Sequence, residues 1–66
     1  MMESCDVLAD EISSLEHRVA DAIFDTVRAQ LRSPNDVESK DLEKRLAKVR
    51  RSLLKAEALL RGAEED

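Results

Sequence analysis

His17 is the only imidazole in the chain, with Glu16 beside it and Asp21 four residues on. A histidine next to a carboxylate is the simplest equipment for general acid–base work, provided the acid can orient the ring. On a helix, however, residues one apart point in different directions, so Glu16 cannot serve His17. A carboxylate-bridged metal pair in a helical bundle needs Glu and His three apart, and the position three before His17 is Ser14. Cys5 is the single cysteine, which excludes an intrachain disulfide and any Cys/His zinc set. Asp6 with Asp10 and Asp21 with Asp25 are carboxylate pairs at i,i+4, an arrangement that on a helix surface forms a solvated acidic face. One glycine in the whole chain leaves no phosphate-cradling loop. The expectation is a protein with no catalytic, metal or cofactor site, hence no enzyme.

The cations offer more. In "KRLAKVRRSLLK", Lys44, Lys48, Arg51 and Lys55 follow one another at spacings of four, three and four. On a helix they form one stripe, a candidate anion-binding surface that could follow a phosphate backbone. Opposing it are the net charge of −4, Asp41 and Glu43 nearby, and the lack of any aromatic on this half for stacking bases. A solvated flank, or a surface for the acidic helix of a partner, is the preferred expectation over nucleic acid. Without Trp or Phe the run is no membrane-surface helix either.

The elements that carry these residues follow from periodicity. Cys5, Leu8, Ile12, Leu15, Val19 and Ala22 alternate three and four apart, a heptad seam that widens towards Ile23, Val27 and Leu31, with Ala20 and Phe24 beside it. Leu42, Leu46, Val49, Leu53, Ala56, Leu60 and Ala63 repeat the pattern, widened by Leu54 and Leu59. Between them stands the only proline, Pro34, which costs about 3 kcal/mol inside a helix. The spacing predicts a first helix at about 5–32 capped by Ser4, a turn at about 33–35, a second helix at about 36–61, and a frayed acidic tail at 62–66 after the Gly62 stop. The second helix would open on Asn35 with Glu38 in a capping box, or on Ser33 with Pro34 at the first helical position. Residues 1–33 hold seven acids against three arginines, and residues 34–61 hold eight bases against five acids. An acidic helix is matched to a basic one.

"ESKDLEKRL", Glu38 to Leu46, resembles the second helix of the small sporulation-type aspartyl-phosphate phosphatases, themselves helical hairpins. Ser39 matches that family's serine, but Glu43 stands where the family has its aspartate, and the preceding turn does not align. No activity is carried over. The architecture alone is similar to that of the RNA-binding hairpin dimers of the plasmid copy-number-regulator type.

The expected fold is therefore all-α: an antiparallel, coiled-coil-like two-helix hairpin, a single domain of residues 1–66, paired into a four-helix bundle. Packing should fall to Leu8, Ile12, Leu15, Val19, Ile23, Val27, Leu42, Leu46, Val49, Leu53 and Leu60. Two helices cover only one strip of each other, and a chain of 66 residues is marginal by itself. The expected function is a small non-enzymatic assembly or adaptor module, such as a scaffold subunit, acting through protein–protein interaction. Its partner would be itself, by dimerisation, or the helices of another protein. A nucleic-acid-binding hairpin dimer is the alternative. Phe24, Leu54 and Leu59 are the candidate contacts between hairpins, supported by Ile23, Leu53 and Leu60. The lone thiol fits a reducing compartment, cytoplasmic or nuclear. No apolar run reaches the roughly 20 residues of a membrane span, and the acidic start does not read as a signal peptide.

Overall fold

The structure is a computed structural model that describes residues 4–62. It consists of two helices packed against each other, α1 (Cys5–Arg32) and α2 (Val37–Leu60). The tail expected at 62–66 lies, beyond Gly62, outside the described residues.

Each boundary has a local cause. Ser4, in an extended conformation, accepts a hydrogen bond from the Asp6 amide at 3.1 Å, and Asp6 sets a negative charge in the first turn where the helix dipole favours it. At the other end of α1 the Ser33 amide still donates to the Ala29 carbonyl at 2.9 Å. Pro34 then lacks the donor that would continue the ladder. The Asp36 amide closes a turn onto the Ser33 carbonyl at 2.9 Å, with Pro34 in the second position, which suits its fixed φ. Asn35 keeps a negative φ in the third position, which excludes a type II turn.

The cap of α2 is neither Asn35 nor Ser33 but Asp36. Its Oδ1 accepts from the Ser39 amide at 3.1 Å and its Oδ2 from the Ser39 hydroxyl at 2.7 Å. Asn35 is occupied by the turn itself, so the capping role passes one residue on and Ser39 takes the place expected for Glu38. The Ser39 hydroxyl, and after it the Ser39 amide, hold the Asp36 carboxyl below its ordinary range. At the far end, Gly62 takes a φ of +93°, and its amide donates to the Leu59 carbonyl at 3.1 Å. A left-handed residue just past the helix is the usual glycine stop, and only glycine adopts it without strain.

The hairpin measures 50 × 25 × 13 Å, a single layer one helix thick. Its radius of gyration is 15.0 Å, against about 11 Å for a compact domain of this length. Such a shape has little interior. Among the described residues Ala9 is the only buried apolar side chain, joined by the polar Glu16 and Thr26. The Thr26 hydroxyl is satisfied within its own helix, donating to the Ile23 carbonyl at 2.7 Å.

Candidate interaction surface

The line of contact between the helices is drawn by Ala9, Glu16, Ile23 and Gln30, each seven residues from the next. Ala9 is fully buried and Glu16 is 7% exposed, while Ile23 and Gln30 are half-buried. Among the described residues, polar contacts cross this seam at three levels. Gln30 Nε2 donates to Glu43 Oε1 at 2.6 Å near the turn. Near the open end Arg61 reaches Asp10 Oδ1 at 3.0 Å while also binding Glu57 Oε2 at 2.8 Å. Between them the Glu16 and Glu57 carboxyl groups come within hydrogen-bonding reach, each shifting the other's pKa.

Two carboxylates can share a hydrogen bond only if one keeps its proton. Of the two, Glu16 holds a proton the more readily: the bond to Glu57 and then its burial raise its pKa, with the Glu57 charge adding to both. Glu57 is correspondingly lowered, first by the bond from Glu16 and then by Arg61. Glu16 Oε2 is buried with no donor in reach. Arg61, held by Glu57 and Asp10, has its pKa raised.

The seam therefore runs beside the leucine stripe rather than along it. Leu8, Leu15, Ala22 and Ala29 each precede a seam residue of α1 by one. Leu42 and Ala56 precede Glu43 and Glu57 in the same way, with Val49 midway between. Antiparallel helices wind in opposite senses when viewed from one end and face each other from opposite sides. A step of minus one residue on each therefore leads to the same side of the pair. That side is one apolar face, with Ile12, Val19, Leu46, Leu53 and Leu60 half-buried near the seam. Leu15, Leu42 and Val49, expected to pack inside the hairpin, are 42%, 43% and 44% exposed on it. The physical reason is width: one neighbouring helix covers one strip, and the stripe extends past it.

The other named residues sort by the same rule. Phe24 and Leu54 follow Ile23 and Leu53 by one and so fall on the opposite side of the hairpin. Phe24 is exposed, with the Arg28 guanidinium 5.8 Å from its ring centroid, a cation–π contact. Leu59 precedes Leu60 by one and is exposed on the flank of α2 that borders the apolar face. The structure thus does not bring Phe24, Leu54 and Leu59 together, while Ile23, Leu53 and Leu60 line the seam half-buried. Lys44, Lys48, Arg51 and Lys55 are all exposed along the outer edge of α2, on the Phe24 side. His17 is exposed too, and its Nδ1 donates to the Ser13 carbonyl at 2.8 Å rather than approaching Asp21.

No pocket opens among the described residues, and no three of their His, Cys, Asp or Glu side chains converge as metal ligands. No described helix is long and apolar enough to cross a membrane. The polar seam was the part that sequence reasoning missed. Its signal was present as the seven-residue spacing of Ala9, Glu16, Ile23 and Gln30, masked by the stronger leucine pattern one step away. Comparisons of the chain with protein-family models, with curated proteins and with solved structures each return no match.

Proposed function

We propose that this chain is a non-enzymatic assembly module that works by covering its open apolar face with further helices, in the first place those of a second copy. One observation carries the reading: Leu15, Leu42 and Val49 share a face and leave about two-fifths of their surface in water. Fully burying such a side chain is worth about 1.5–3 kcal/mol, so covering the face is a strong drive to associate. The accessible surface supports the same conclusion. It is 5346 Å², against about 4,200 Å² for a compact monomer of this mass.

Light scattering coupled to size-exclusion chromatography tests this directly. The expected mass is about twice 7.4 kDa at micromolar concentration. A fully helical species at the monomer mass would remove the proposal. A monomer of low helical content would transfer the role of partner to another protein's helices.

The alternative, an anion-binding hairpin, rests on the exposed row Lys44, Lys48, Arg51 and Lys55. Filter binding of RNA and DNA would show affinity that falls steeply with salt and weakens in Lys48→Ala/Arg51→Ala. No retention at low salt ends that alternative.

A further inference from the structure

We infer that two hairpins pair face to face with both turns at the same end, so that α1 of each copy lies over α2 of the other. The inference rests on the proposed self-assembly and adds the occupant's orientation.

A flat two-helix layer can meet its copy about either of two in-plane two-fold axes. An axis perpendicular to the helices stacks α1 on α1 and α2 on α2, with the turns at opposite ends. An axis parallel to the helices stacks α1 on α2, with the turns together. Both place neighbouring helices antiparallel, so the helix dipoles do not choose between them. Charge does. α1 holds six acids and three arginines, a net of −3, and α2 holds seven bases and four acids, a net of +3. Turns together put every helix beside two of opposite sign. Turns apart put acidic on acidic and basic on basic.

The register agrees. A two-fold axis parallel to the helices keeps the heights already set within one hairpin, where Gln30 is level with Glu43 and Glu16 meets Glu57. On the flanks bordering the apolar face, Asp25 then falls within about one helical turn of Arg45 of the second copy, and Arg32 within about one turn of its Glu38. Both pairings are attractive, and symmetry makes each twice. Such exposed pairs act on orientation more than on strength, because like-charge alternatives are what they penalise. The apolar face supplies the attraction, and the charges choose between two ways of using it.

The test places one spin label at each turn, as Asn35→Cys in a Cys5→Ser background, and measures the label separation in the dimer by double electron–electron resonance. With turns together the labels lie on adjacent hairpins, within about 20–25 Å once interaxial spacing and label arms are included. With turns apart they are separated by the helix length, about 40 Å for the 28 residues of α1. A dominant short distance is the expected result. A dimer by light scattering whose main distance is the long one overturns the inference and leaves the assembly reading intact. A helical monomer by light scattering overturns both.

Discussion

Replacing Leu15 by Gln probes the apolar face with little change in helix propensity or side-chain length. Leu15 is 42% exposed in the hairpin, so this share of its burial remains to be gained on association. Taking about 1.5–3 kcal/mol for full burial of a leucine, the remaining share is about 0.6–1.3 kcal/mol per copy. A two-fold interface uses each residue twice, so the dimer loses about 1.3–2.5 kcal/mol. That corresponds to a dimer Kd raised by roughly 8- to 70-fold. Sedimentation equilibrium over a concentration series reads this shift, and circular dichroism on the same samples reports whether the helices persist. Phe24→Gln is the matched control. It removes a larger and more exposed apolar group, 62% in water, from the opposite side of the hairpin. It should leave the dimer Kd within about twofold, since exposed substitutions outside the interface change little. If Leu15→Gln leaves the Kd unchanged, or Phe24→Gln shifts it as far, the face has been assigned wrongly.

Two further predictions concern polar groups within the hairpin. Glu16 has a raised folded pKa, so its contribution is fully present below the ordinary glutamate pKa and is lost as pH rises through the raised value. Glu16→Gln keeps a donor towards Glu57 without the buried charge. Its melting temperature should gain on the parent's as the pH rises above the ordinary glutamate range, and the gap should narrow as the pH falls back to it; a pH-independent gap would refute the shared proton. Asp36 has the opposite sign. Its folded pKa is lowered, so its cap stabilises the hairpin above the ordinary aspartate range and is lost as pH falls through the lowered value. Asp36→Ala should lower the melting temperature by several degrees at pH 7 and by much less in strong acid, where the parent has lost its cap too. A pH-independent loss, followed by circular dichroism, would show that the carboxylate is not the cap.

Much of the architecture was legible in the residues themselves. Pro34 and the change of phase around it place a turn in the chain whatever the partner, because a missing donor and a fixed φ are properties of one residue. Ser4 as the first cap and Gly62 as the last stop are equally local, and α1 spans Cys5–Arg32 as periodicity expects. The second cap was less legible. Asn35, Asp36 and Ser33 all have capping side chains within four residues, and only the folded turn decides which amide each one can reach.

Sequence by itself determined that there are two amphipathic helices, where they break, and how their charges are divided, because helical period, caps and charge all act within a few residues of chain. Tertiary structure alone decided which strip of each helix faces the other. A three–four repeat fixes the spacing of a stripe but not its rotation about the axis, and a stripe wider than one neighbour can be turned so that either edge enters the seam. Here the edge holding Ala9, Glu16 and Gln30 goes in, and Leu15, Leu42 and Val49 stay out. That rotation is a balance between the cross-seam contacts of Gln30, Glu57 and Arg61 and the burial of the leucines, a comparison between two distant segments that neither contains.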